Sequence, residues 1–316
     1  MLKNHTSIFK KYYQKNKLSD RYEKGEGIGI DVIIPIINTN ELWETNLYSF
    51  YKEIPISRLL IGDGGCTDDS LLILNQFPRV EVFNQEKYIS QGYCIKELML
   101  MVTSEHFIYL HADVFLPKGW FDSMYKYKND YDWFECFRRM TLMFEYPHYE
   151  HHQAKRAFSG SQLGKTEIMK RSIQKIDDDY LQRNEDIIFA ELIKQFGGKY
   201  AKIDDTFHYH QITNKEGDME PDLKAINIIK KEEPKWEKRI FNMQYKGIIK
   251  YINVPEEYLI ENIYRSIFKL IRLKDFNWRE FYIWTKKTNK IWLKYVHRRG
   301  FFVYLVKRGI SLILAR

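Results

Sequence analysis

The sequence predicts an α/β fold: a mostly parallel sheet flanked by helices, followed by a helical C-terminal region rich in basic and aromatic residues. Three observations carry this expectation. Short β-branched runs alternate with stretches of helical period over the first half of the chain. Glycines at 62, 64 and 65 separate a strand from the helix that follows it. The apolar run from Phe107 to Leu110 delivers His111 and Asp113 to its own C-terminal end, the edge at which open α/β sheets hold ligands and ions.

Each element has its own signal. Ile30 to Ile37 is an apolar run of strand length containing Pro35, and Asn40 is expected to cap the helix that opens with Glu41, Leu42 and Trp43. Arg58 to Gly62 is the second strand. Thr67, Asp68, Asp69 and Ser70 then cap a helix in which Leu71, Leu72, Leu74 and Phe77 recur near helical spacing. Val80 to Phe83 is the third strand. From Gln91 to Ser104, Ile95, Leu98, Met99 and Val102 share one helical face, and Phe107 to Leu110 is the strand after it. This spacing implies right-handed βαβ units. Asp132 to Arg139 reads as a further strand, and Ile188, Phe189, Leu192, Ile193 and Phe196 form the stripe of a later helix. Phe207 and Tyr209 alternate with His208 and His210, which puts both imidazoles on one face of a strand.

Composition narrows the classes of function. With 316 residues, 44% apolar and 16% aromatic, the chain can bury a full core, as one large domain or two smaller ones. Cys66, Cys94 and Cys136 form no CxxC pair, so neither a disulfide framework nor a cysteine zinc site is expected, and a reducing, cytoplasmic setting fits. The N-terminus shows no signal-peptide core, and no run of about 18 apolar residues occurs. The net charge of +8 would attract polyanions, but no helix-turn-helix, zinc-finger or RNP-type signature accompanies it. No nucleic-acid partner is therefore expected.

The turn Ile61-Gly62-Asp63-Gly64-Gly65-Cys66-Thr67-Asp68 places Asp63 at a strand tip, where it is able to accept hydrogen bonds from a base or ribose; an ordinary βα turn uses the same residues. Asp63 and Asp113 both lie at C-terminal strand ends of one predicted sheet and so face one crevice.

These segments resemble a family 2 glycosyltransferase of the GT-A (Rossmann-like) fold. DVIIPIINTN is similar to that family's opening strand, IGDGGCTDDS to its DDGSTDGT-type turn, and LHADVFLPKGW stands at its Asp-x-Asp metal motif. RNEDIIFAELIKQFGGKYAKIDDTFHYH resembles its Glu-Asp helix followed by a strand ending in a metal-binding His. The four segments keep the family's order between residues 30 and 213, which is more specific than any one match. On this likeness residues 1–28 are an N-terminal extension, 29–215 the GT-A domain and 216–316 a helical C-terminal region.

The resemblance implies an inverting transfer of a sugar from a UDP- or GDP-sugar donor to an acceptor hydroxyl, assisted by Mn2+ or Mg2+. It implies nucleotide-sugar contacts at Pro35, Asp63, Lys96, His111 and Asp113, metal ligation by Asp113 and His210, and a general base at Asp186. His111 replaces the family's first acid. Trp133, Gly160 and Glu185 are candidates for contact with acceptor or donor sugar. A nucleotide-sugar-binding protein with weak or lost catalysis is the alternative suggested by His111, and a basic nucleic-acid scaffold is another.

Two regions stand outside these motifs. His148, His151 and His152 fit no standard zinc spacing and read as an acceptor-side loop. Beyond Lys274, Trp, Tyr and Phe interleave with Lys and Arg, a pattern suited to helices on an anionic membrane surface or to helices packed on the catalytic domain. The first reading implies a peripheral location at the inner face of a membrane and a glycan or lipid-linked acceptor.

Overall fold

A computed structural model describes residues 18–39, 42–88, 90–140, 158–176 and 185–210. Asn40, the histidines at 148, 151 and 152, and the basic, aromatic C-terminal region lie outside the described residues.

The chain runs β1 (Ile30–Ile36), α1 (Trp43–Glu53), β2 (Ile56–Asp63), α2 (Ser70–Leu74), β3 (Val80–Asn84), α3 (Gln91–Met101), β4 (His106–Leu110), β5 (Val114–Phe115), α4 (Trp120–Tyr125), β6 (Trp133–Met140), β7 (Phe158–Lys165), α5 (Thr166–Ile173), α6 (Glu185–Gln195) and β8 (Tyr200–His210). One eight-stranded sheet has the order β3-β2-β1-β4-β7-β6-β8-β5. The α/β class is as the sequence predicts. Strands β3, β2, β1 and β4 are parallel, whereas β7 is antiparallel to both β4 and β6 and β5 is antiparallel to β8. The mostly parallel expectation therefore holds for the first four strands, and the rest of the sheet is mixed. Antiparallel neighbours need no helical crossover, so the strand-helix rhythm of the sequence fades where they begin.

Period-two alternation divides the core between the two faces of the sheet. Val32, Ile34, Leu59, Ile61, Ile108 and Leu110 pack with Trp43, Leu47 and Phe50 of α1 and Trp120 of α4 on one side. Ile33, Leu60, Phe107 and Tyr109 pack with Ile95, Leu98 and Met99 of α3, Met169 of α5, and Ile188, Phe189, Leu192 and Ile193 of α6 on the other. Each such side chain, wholly withdrawn from water, contributes about 1.5–3 kcal/mol. In α2 only Ser70 and Leu74 are buried, and Leu72, assigned by the sequence to an apolar face, is 65% exposed. A helix this short presents little more than one turn to the core.

The sheet reverses its winding between β1 and β4. Successive strands step from β1 to β2 to β3, and the chain then returns through α3 to place β4 on the far side of β1. Such a reversal opens a crevice at the carboxyl ends of the two strands. Pro35 is the next-to-last residue of β1, near this end. Pairing with β4 stops at Ile33, so Pro35 lies beyond that ladder.

Candidate metal and acid site

The site begins where β4 stops. His111 N–H donates to the carbonyl of Gly160 in β7 at 2.9 Å, holding the chain as it turns through Ala112 and Asp113 into β5. The two residues of β5 pair with the end of β8, Val114 opposite His210, and this register brings Asp113 beside the His210 ring. His210 Nε2 lies 3.4 Å from Asp113 Oδ2, and His111 Nδ1 lies 3.9 Å from Asp113 Oδ1. The two imidazoles stand edge to face with centroids 5.6 Å apart.

Burial holds the His111 imidazole down to about 4, with His210 and the Arg138 cation adding to the effect and Asp113 opposing it. His210 is pushed down to about 3 by burial and then by Arg138. Both rings are thus neutral near pH 7, the form that donates a lone pair to a metal. One donor atom from each of His111, Asp113 and His210 can be chosen so that all lie within 4.8 Å of one another. An ion with ligands at about 2.1 Å would draw such atoms to roughly 3–3.5 Å spacing, a small adjustment. Two imidazoles and one carboxylate therefore fit a divalent ion, and the mixed nitrogen and oxygen set suits Mn2+ better than Mg2+.

The sequence leaves His208 and His210 as alternatives; the geometry distinguishes them. His208 is wholly buried, with Nδ1 2.7 Å from Ser161 Oγ and 3.3 Å from Cys136 Sγ. Burial, then its two neighbouring histidines and Arg138, holds it well below the usual range. His208 braces the strand that carries His210. His111, expected to touch the nucleotide, also supplies the third atom of this cluster.

Asp186, in the first turn of α6, accepts the Ile187 N–H at 2.9 Å through Oδ1. With Glu135, Ile187, Tyr200 and Lys202 it lines a cavity of about 160 Å³. Burial raises its proton affinity, while the Ile187 N–H and the Arg138 cation oppose that shift. Glu135, on β6, is itself raised by burial and is bonded by the Tyr200 hydroxyl and by Gln162 Nε2 at 3.3 Å.

Two side chains are influenced by, or act on, the charges of both Asp186 and the histidine cluster. Tyr109 packs 5.3 Å from the His111 ring; its hydroxyl is raised well above the usual phenol value by burial and then by the charges of Glu185, Asp186 and Asp113. Arg138, paired in register with His208, acts on Asp186, His111, His208 and His210 together. Asp113, His210 and Asp186 thus share one electrostatic neighbourhood. The sequence assigns no role to Tyr109 or Arg138; the pair Arg138-Arg139 following Phe137 in a predicted strand is the one local sign of a cation held within the sheet.

The other expected residues divide. Asp63 Oδ1 is taken by the N–H groups of Gly65 and Cys66, at 2.9 and 2.8 Å, so part of its carboxylate shapes its own turn. Lys96 lies 3.4 Å from Glu97 and 4.4 Å from the centre of the Tyr93 ring, on its own helix and outside the histidine cluster. Trp133 is a core residue rather than a sugar platform: it is 1% exposed and packs 5.8 Å from Phe107. A Cβ at Gly164 would meet its ring at 2.4 Å, so the indole fills the space that this glycine leaves. Glu185 is buried beside Asp186.

No family model and no curated protein sequence matches the chain. Among solved structures it is similar to S. aureus TarS 1-349 in complex with UDP-GlcNAc, at 11% identity and a TM-score of 0.49, over 84% of this chain and 79% of that one. It is similar to the mannosyltransferase PcManGT from Pyrobaculum calidifontis in complex with GDP-Man and Mn2+, at 11% identity and a TM-score of 0.48, over 97% and 95%. A third likeness, to the bifunctional IspDF from Campylobacter jejuni, has 14% identity and a TM-score of 0.40, covering 57% of this chain and half of that one.

Proposed function

We propose that this chain is a glycosyltransferase that moves a sugar from a nucleoside-diphosphate donor to an acceptor hydroxyl with inversion. The observation that carries the reading is the meeting of His111, Asp113 and His210 at the carboxyl rim of the sheet, with Asp186 in the same electrostatic neighbourhood. His111, Asp113 and His210 would hold a divalent ion, which supplies Lewis-acid stabilisation of a departing diphosphate. Pro35 and Asp63 border the crevice that receives the nucleotide. Asp186 takes the proton of the acceptor hydroxyl: a carboxylate whose proton affinity is raised by burial is better matched to that task near neutral pH than an exposed one. In-line attack requires this base on the side of the sugar opposite the leaving group, which inverts the anomeric centre. A glycan, free or lipid-linked, is the acceptor class we assign.

The test is release of nucleoside diphosphate from a panel of UDP- and GDP-sugars, with and without Mn2+, using the full chain and Asp186→Asn. Metal-dependent release by the wild type and its loss in the variant support the reading. Binding of a donor with no turnover under any condition would leave a nucleotide-sugar-binding protein in its place.

A further inference from the structure

We infer that Gly160 is a positioning residue of the ion site: because it has no side chain, it fixes where the His210 imidazole stands. The inference rests on His111, Asp113 and His210 holding a divalent ion, and adds to it a residue that ligates nothing.

Gly160 touches two of the three donors. Its carbonyl accepts the His111 N–H at 2.9 Å. A Cβ built on it would lie 2.7 Å from His210 Nδ1, 2.9 Å from His210 Cε1 and 3.3 Å from His208 Nε2. The first two distances are shorter than carbon contacts in folded proteins allow, so any side chain must push the His210 ring. The ring has little room to yield, because the His111 and His208 rings flank it, each with its centroid 5.6 Å away. His208 is pinned in turn by Ser161, the next residue of β7. The backbone of Gly160 has φ of +96°, a region that side chains disfavour, so the position is suited to glycine twice over.

Those two causes can be separated, because Gly197 has a similar φ of +82° but no atom within 4 Å of its would-be Cβ. Gly160→Ala and Gly197→Ala carry comparable backbone strain, and only the first crowds an imidazole. Mn2+ binding is measured on the full chain by calorimetry, and the Mn2+ resonance by electron paramagnetic resonance. We expect Gly160→Ala to bind Mn2+ about 10-fold or more weakly, in the range seen when residues orienting a ligand are changed, with an altered spectrum. Gly197→Ala should match the wild type on both. Equal Mn2+ affinity in wild type and Gly160→Ala overturns the inference while leaving the ion site intact; no Mn2+ binding by the wild type overturns both. Should Gly160→Ala fail to fold, the double variant Gly160→Ala/His210→Ala decides: recovery of folding once the ring is removed supports the crowding of His210, and failure to recover refutes it.

Discussion

His210 Nε2 stands 3.4 Å from Asp113 Oδ2, because two residues of β5 pair with the last residues of β8. The contact joins the end of the described chain to the rim of β4 and closes the candidate ion site. Asp113→Asn and His210→Ala should each weaken Mn2+ binding by a factor of at least about 10–100, since removing a donor costs no less than disturbing a residue that orients one. Calorimetry with Mn2+ alone checks this, and unchanged affinity in either variant removes that residue from the site.

Asp186→Asn should lower turnover by about 10²–10⁴, the usual worth of a positioned base. Donor affinity should stay within a few-fold, because the change touches no proposed ion donor. Steady-state rates set beside donor titrations separate the two quantities. A variant that turns over like the wild type takes Asp186 out of the chemistry.

Much of this arrangement is legible in the sequence, for physical reasons that also explain what is not. The strands from Ile30 and Phe107 announce themselves because they are buried on both faces and read as unbroken apolar runs. His208 and His210 cannot be ranked by period alone, since alternate residues share a face; the register Val114 to His210 decides, and a two-residue strand leaves no pattern to read. His111 is obscured by standing where the resembled family has an acid. Trp133 looks like a sugar platform until Gly164, distant in sequence, is found beneath its ring. Pairing partners across antiparallel strands carry no local signal.

Asp31 illustrates a buried charge used for stability. It is 1% exposed and accepts hydrogen bonds from Arg58, Ser57, Thr103 and Ser104, with Arg58 Nη2 at 2.6 Å. Asp31→Ala leaves those donors unmatched, and should cost about 3 kcal/mol, the low end for breaking a buried pair because Arg58 is partly solvated. Chemical denaturation at neutral pH measures it. A loss below about 1 kcal/mol would show that the network is replaceable by water.

His106 makes a separate prediction about acid stability. It is 4% exposed, edge-on to Tyr125 at 6.0 Å, and burial holds it below its ordinary value of 6.5. The unfolded chain takes up this proton as pH falls below about 6.5 and the folded chain does not. Stability should therefore drop with falling pH, by up to roughly 1.4 kcal/mol per pH unit from this group, until the folded value is reached. His106→Phe removes that uptake, so its melting temperatures at pH 7 and pH 5 should lie closer together than those of the wild type. An equal spread in both proteins contradicts the assignment.

The most direct measurement is anomalous diffraction at the manganese edge from crystals of the full chain soaked in Mn2+. A peak within coordination distance of His111, Asp113 and His210 is the result predicted here. A peak elsewhere, or none at these three residues while Mn2+ is present, would contradict the site on which the functional reading depends.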